Sequence, residues 1–458
     1  LPGKKKIVAF TGSFFTWASV ALAQQASFSP RPYLEDYRAL REHISKSYAN
    51  LEYLLQYYEI DPFELNAKTV AAINASKNEK EAGRALDDFV NAFRDGHFAL
   101  KRLEAGESRQ ASPSTIDRKA SGELACKAMG FASDKRFAFR FPIEGVKIVR
   151  KGGDEFPFLI VDKNGSKVGI IRISDFRDEA YPAICSDTWS IFSKSLNADC
   201  DEKCRDAFLQ QAMSQALVDK FYESLEQVRA DKPQALVIDL THNGGGTDWA
   251  KDITALLTKE KLACGRRGFI KHPHYVKIFT DELRDLKSAS KPDSAKIKDT
   301  EEKAKIASEN CDRSPIWTQR DIKLACSAVA YVEGDSCRYE DLNFKGKARY
   351  AGKLFFLVDG HTASAAEDIV ARHIDSKTAI AIGEHTRGSG CGYMNGGIKF
   401  RLPHSGLAVK VPDCIRERAD GTNEVVGIEP GIKMDMTKIE SPDFINRVTE
   451  RVLSSLKD

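Results

Sequence analysis

The chain has 458 residues with 42% hydrophobic and 29% charged, enough apolar material for a sizeable core, and its length suggests about three domains. Lys and Arg number 69 against 66 Asp and Glu, a net charge of +3, so no strong field points to a membrane surface or nucleic acid. No basic stripe with interleaved aromatics is present, which sets nucleic-acid binding aside.

The N-terminus reads as an export signal over residues 1–23. Lys4, Lys5 and Lys6 form a positive start, Ile7 to Val20 is a mostly apolar stretch of 14 residues, and Ala21-Leu22-Ala23 is a small-x-small cleavage site before Gln24. That stretch is shorter than the roughly 20 residues of a spanning helix. No later segment is long and apolar enough either, so the mature form is expected to carry no membrane span and to work in the periplasm or outside the cell. Ten cysteines fit that address: Cys126, Cys185, Cys200, Cys204, Cys264, Cys311, Cys326, Cys337, Cys391 and Cys414. An even number in an oxidising compartment predicts disulfides. Zinc is the rival only at Cys200 and Cys204, a close pair with no second pair or nearby His. No metal or other cofactor is expected.

In chain order, residues 24–115 read as an N-terminal helical domain. Leu34, Tyr37, Leu40, Ile44, Tyr48 and Leu51 line one helical face. Asp61-Pro62-Phe63-Glu64 has the residues of a helix start. A further helix carries Leu86, Phe89, Val90 and Phe93, with Gly96 expected to end it. Residues 116–165 show short apolar runs without helical period and read as a small β-rich region. Residues 166–458 read as an α/β domain. Strands are expected at 168–173, 235–240, 353–359 and 379–382, and helices near 205–228 and from Thr362. A cysteine-containing insertion at about 264–350 interrupts it, and the Lys- and Glu-rich stretch from Lys296 to Lys305 reads as a solvated helical face.

Four segments carry chemistry. In Asp359-Gly-His-Thr-Ala-Ser-Ala-Ala-Glu367, Ser364 falls at a helix N-terminus. Unpaired N–H groups and the helix dipole there favour an oxyanion. Asn243-Gly244-Gly245-Gly246 follows a buried strand, and its backbone can approach a ligand closely. It lacks the spacing of a dinucleotide or phosphate loop. Asp95-Gly96-His97 places an imidazole just past a helix, as a general base or as an ordinary surface histidine. Gly383-Glu384-His385-Thr386-Arg387-Gly388 comes next, and Glu424-Val-Val-Gly-Ile-Glu-Pro430 follows.

Taken in order, D-G-H, I-R-I-x-x-F, N-G-G-G, T-A-S-A-A-E, G-E-x-T-R-G and G-I-E-P resemble the tail-specific (C-terminal-processing) protease family over residues 31–435. The resemblance implies a ClpP/crotonase-like α/β catalytic domain acting on an extended polypeptide. It implies Ser364 as nucleophile, with the N–H groups of Ala365 and Gly245 as the oxyanion hole. The best-known branch has a lysine as base where this chain has Ser389. The chain therefore resembles the tricorn-like branch, which implies His97 as base and Glu424 as the glutamate that orients the system. The serine preceding the histidine in that branch is Gly96 here. His242, His361 and His385 remain alternatives to His97. The β-rich region stands where the family often carries a PDZ module, without a clear PDZ signature, so a degenerate PDZ or something else are both open. The competing function is a non-catalytic ligand- or peptide-binding protein on the same scaffold.

Overall fold

The computed structural model describes residues 28–102, 115–132, 137–247, 249–324, 326–332 and 347–457. The expected export signal and Cys337 lie outside them.

Helices α1 (Arg31–Ser47), α2 (Leu51–Tyr57), α3 (Pro62–Ala75) and α4 (Glu79–Asn91) follow the apolar period of the sequence. Tyr37, Leu40, Ile44, Leu51, Leu86 and Phe89 are buried in one cluster. Asp61 caps α3, its Oδ1 accepting the N–H groups of Phe63 and Glu64 at 2.8 and 3.1 Å. The cluster also takes in Val409, Val411, Val425 and Val426 from far along the chain, so these helices are packed onto the C-terminal part. Gly96 does not end α4. The helix stops at Asn91, and Arg94 takes the left-handed turn with φ 52°. Gly96 is there for close approach, because a Cβ on it would stand 2.4 Å from Ser389 Oγ.

Beyond β1 (Ala99–Lys101), residues 116–165 depart from the expected separate β-rich unit. They supply α5 (Gly122–Ala128) and two strands, β2 (Lys147–Gly152) and β3 (Phe158–Lys163), which pair in series onto β4 (Ser166–Arg172). The strands therefore widen the main sheet. Strand β3 is buried there because Phe158, Leu159, Ile160 and Val161 are apolar on both faces of the pleat, and β2 forms the exposed edge. After β4 come α6 (Pro182–Phe192), α7 (Glu202–Ala207), α8 (Ser214–Ala230), β5 (Ala235–Asp239) and α9 (Trp249–Leu256).

The insertion forms β6 (Arg266–Ile270), a helical hairpin of α10 (Pro273–Ser288) and α11 (Ser294–Ala307), and β7 (Val329–Val332). The Lys296–Lys305 run is a solvated face of α11, where Lys296 pairs with Glu282 at 3.5 Å and Lys303 with Asp299 at 2.7 Å. The chain returns through β8 (Lys353–Val358), α12 (Ala365–Asp375), β9 (Ala379–Gly383), β10 (Phe400–Arg401), β11 (Ala408–Lys410), β12 (Cys414–Glu417), β13 (Ile432–Lys433) and α13 (Phe444–Ser454).

The main sheet has the order β13-β9-β8-β5-β4-β3-β2, parallel from β13 to β4 and antiparallel beyond. Strand β5 shows why it is a layered α/β fold. Leu236 and Ile238 join a core with residues of α8, α9 and α12, and Ala235 and Val237 join a second core with α13. Alternate side chains of one apolar run thus bury on opposite faces. Smaller sheets β12-β6-β7 and β1-β11-β10 flank it.

Disulfides join Cys126 to Cys185, Cys200 to Cys204, Cys311 to Cys326 and Cys391 to Cys414, and Cys264 is also disulfide-bonded. The Cys200–Cys204 bond removes the zinc reading, since bonded sulfurs carry no thiolate to ligate with. Cys126–Cys185 pins α5 to α6 across 59 residues. Replacing both cysteines by alanine is expected to lower unfolding stability by about 2–5 kcal/mol, measured by urea denaturation. An unchanged midpoint would show that packing alone docks α5.

Candidate active site

The C-terminal ends of the adjacent parallel strands β5 and β8 carry the two loops that matter, the usual place for ligands in such sheets. The β8 exit turns at Asp359. Its Oδ1 accepts the N–H groups of His361 and Thr362, each at 3.0 Å. Thr362 Oγ1 reaches back to Leu240 O at 3.0 Å, and Ala363 N–H donates to Asn243 O at 2.9 Å, so the turn is stitched to the β5 exit.

Ser364 follows at the N-cap of α12, with φ 55° and ψ −116°. A non-glycine residue there costs about 1–3 kcal/mol and persists only where its surroundings over-determine it. They do so here from both sides of the residue. Its N–H donates to Glu367 Oε2 at 2.8 Å, and its carbonyl accepts from Arg416 Nη2 at 3.0 Å.

Glu367 is fully buried and accepts four hydrogen bonds. Oε2 takes the N–H groups of Ser364 and Ser389, at 2.8 and 3.0 Å. Oε1 takes Thr386 Oγ1 and Gly388 N–H, at 2.6 and 2.7 Å. One carboxylate in the first turn of α12 therefore fixes both the serine turn and segment 386–389. That segment in turn holds His97. Gly388 O accepts the Gly96 N–H at 2.9 Å, and Ser389 O lies 2.6 Å from His97 Nδ1. A carbonyl oxygen only accepts, so Nδ1 carries the proton and the Nε2 lone pair is left open. Burial lowers the His97 pKa from 6.5, although the Ser389 carbonyl and Glu367 oppose it. The ring is neutral at pH 7. Gly392 leaves it room, since a Cβ there would stand 2.8 Å from Cε1, and the Tyr393 ring meets it edge-on at 5.3 Å.

From the other side Asp95 Oδ1 accepts the His97 N–H at 2.9 Å, and Asp95 Oδ2 accepts from Tyr48 Oη and Asn50 Nδ2 at 2.9 and 3.0 Å. Asn50 Oδ1 accepts from Asn423 Nδ2 at 2.9 Å. The link between α1 and α2 thus braces both the His97 loop and the approach to Glu424.

Glu424 is buried but does not bond His97. Its carboxylate binds Arg416, whose Nε also lies 3.4 Å from Asp368. Burial raises the Glu424 pKa, against the pull of Arg416. Burial would raise Asp368 too, but Arg416 and Arg372 beside it hold it below its usual range. Glu424 therefore reaches the site through Arg416, which grips Ser364 O and also Gly390 O at 3.3 Å. No motif in the sequence marked Arg416 or Asn50.

The glycine loop closes directly on the serine. A Cβ on Gly245 would stand 2.7 Å from Ala365 N and from Ser364 Cβ. The Gly245 N–H, expected as an oxyanion donor, instead donates to Asn243 Oδ1 at 2.9 Å, an Asx turn that shapes the loop. Ala365 N–H, in the first turn of α12, makes no hydrogen bond among the described residues.

The other histidines are held differently. His242 Nδ1 bonds Asp359 Oδ2 at 2.6 Å, and its ring lies 4.1 Å from that of His361. His385 packs by Gly427, where a Cβ would stand 2.5 Å from its Cε1. No hydrogen bond joins Ser364 Oγ to any of the four imidazoles among the described residues. Such bonds are often long without substrate.

The model of peptidase family S41 matches residues 167–434. No curated protein matches the chain. Mature CPAF complexed with lactacystin is 14% identical, with 92% of this chain and 97% of that chain covered at a TM-score of 0.56, a likeness of fold. The photosystem II D1 C-terminal processing protease is 13% identical, with 88% and 92% covered at 0.33. The tricorn protease is 11% identical, with 94% and 37% covered at 0.34.

Glu367→Gln places an amide N–H₂ against donors. We expect a loss of about 2–5 kcal/mol in stability and faster amide hydrogen exchange at Ser364, Gly388 and Ser389. Unchanged protection at those amides would contradict the four-bond geometry.

Proposed function

We propose, from the premise that the chain belongs to peptidase family S41 and is a serine-type peptidase, that Ser364 is its nucleophile and His97 its general base. The observation that carries this reading is the shared Glu367 carboxylate. It bonds the Ser364 N–H and the Ser389 N–H, and the Ser389 carbonyl fixes the His97 tautomer with Nε2 free.

His97 Nε2 takes the proton of Ser364 Oγ as the oxygen attacks the scissile carbonyl. The tetrahedral oxyanion forms at the α12 N-terminus, where the Ala365 N–H and the helix dipole stabilise it. Collapse breaks the C–N bond, and His97 returns the proton to the leaving amine. Water then attacks the acyl-enzyme with His97 again as base. Gly245 serves by lacking a Cβ, and its N–H joins the oxyanion only by leaving Asn243. Glu424 and Arg416 act on the serine turn; neither bonds the imidazole, and the nearby Arg416 charge helps lower the His97 pKa. Asp359, which bonds His242, favours that histidine as an alternative base. Against it, the same carboxylate is engaged by the backbone of its own turn.

The reading extends to location. Nine described cysteines are disulfide-bonded, and residues 1–23 have the pattern of an export signal, so we place the working enzyme in an oxidising compartment beginning near Gln24.

A fluorophosphonate probe should label Ser364, and Ser364→Ala should abolish labelling. His97→Ala should slow it by about 10²–10⁴-fold, whereas His242→Ala should leave it close to wild type. Protonated His97 cannot accept the serine proton. Labelling should therefore fall as pH drops, with a midpoint below 6.5. Full labelling of folded His97→Ala, with loss in His242→Ala, would move the base to His242.

A further inference from the structure

The β1-β11-β10 sheet begins two residues after His97, and its two faces differ sharply. One face is apolar: Leu100, Val409 and Phe400 pack into the helical core. The other carries Lys101, Arg401 and Lys410, all exposed, as is Lys399. Register explains the grouping. Lys101 and Arg401 flank Ala408 in one row, and Lys410 lies opposite Ala99 in the next. Lys399 stands just before β10 and lines the same groove as Arg401 and Lys410. None of these four cations forms an ion pair among the described residues. On the α10–α11 hairpin, by contrast, Lys277, Lys287, Lys296 and Lys303 each face a carboxylate within 3.5 Å. Single exposed lysines such as Lys68 and Lys80 are unpaired too among the described residues, and what sets the four apart is that three share one sheet face and Lys399 adjoins its strand β10.

A groove of about 420 Å³ is lined by Lys399, Arg401, Lys410, Tyr393 and Gly396. Tyr393 joins it to the candidate site. The Tyr393 hydroxyl donates to the His97 carbonyl, its ring touches the imidazole edge-on, and Lys410 Nζ lies 5.7 Å above the same ring.

We propose that this groove is a specificity subsite that takes Asp and Glu side chains of the polypeptide substrate. The inference rests on the peptidase reading above. The four cations, unpaired among the described residues, attract and orient an acidic segment and reject a basic one, with Lys399, Arg401 and Lys410 lining the groove itself; they act on encounter and binding and not on the chemical step. Lys101 is four residues beyond His97. Extended chain spans at most about 3.3 Å per residue, so the acidic positions fall within about four residues of the scissile bond. Lysines on edge strands also serve to prevent sheet-to-sheet aggregation, and substrate kinetics separate the two roles.

The test uses the mature full chain and matched fluorogenic peptides with Asp, Ser or Lys at those positions. The Asp peptide should have a KM about tenfold below the Ser peptide at low salt, with the advantage shrinking as salt screens it. The double variant Lys399→Glu and Arg401→Glu should reverse the preference toward the Lys peptide. It should leave the melting temperature and the fluorophosphonate labelling of Ser364 at wild-type values. Equal KM for the three peptides, or a preference unchanged in the double variant, overturns the subsite while the peptidase reading stands. No turnover and no labelling in wild type would remove that reading, and the subsite with it.

Discussion

A single buried carboxylate sets the geometry on which the rest depends. Glu367 sits in the first turn of α12, where the helix dipole favours its charge, and all of its hydrogen-bonding capacity goes to four donors. Without them the buried charge would be strongly destabilising, and without the carboxylate four buried donors would be orphaned. That mutual dependence lets it hold two separate stretches in register. Ser364 keeps its left-handed backbone because Glu367 grips its N–H and Arg416 its carbonyl. Segment 386–389 keeps the path that presents a carbonyl to His97.

The constraint spreads outward through side chains of other elements. Tyr48 and Asn50, from the link between α1 and α2, hold Asp95 and so the His97 loop, and Asn50 also holds Asn423 beside Glu424. The Cys391–Cys414 bond ties the segment after Ser389 to β12, the strand that carries Arg416. The helices at the N-terminus are therefore part of the site and not an appendage, which agrees with their sharing one apolar core with Val425 and Val426.

Much of this was legible in the sequence, and the reasons are local. Strands β5 and β8 are continuous apolar runs, buried on both faces, and such runs announce themselves. Ser364 and His97 were singled out by the order of the short motifs around them, to which the family resemblance attached roles, and both stand on the Glu367 framework. The role of Gly96 was misread because a glycine near a helix end looks the same whether it caps or makes room; only the position of Ser389 Oγ separates the two. Strands β2 and β3 were assigned to a separate unit because short runs do not reveal which sheet they join. Arg416 stayed hidden because its partners, Asp368, Glu424 and the carbonyls of Ser364 and Gly390, are assembled from three segments. Cysteine pairing was hidden for the same reason.

The central claim is that this framework presents His97 with its proton on Nδ1 and its lone pair on Nε2. Nitrogen-15 NMR of the resting enzyme, with the His97 signals assigned by comparison with His97→Gln, measures the tautomer directly. The account predicts a protonated Nδ1 and a bare Nε2 at pH 7.5. A proton on Nε2, with Nδ1 bare, would contradict it.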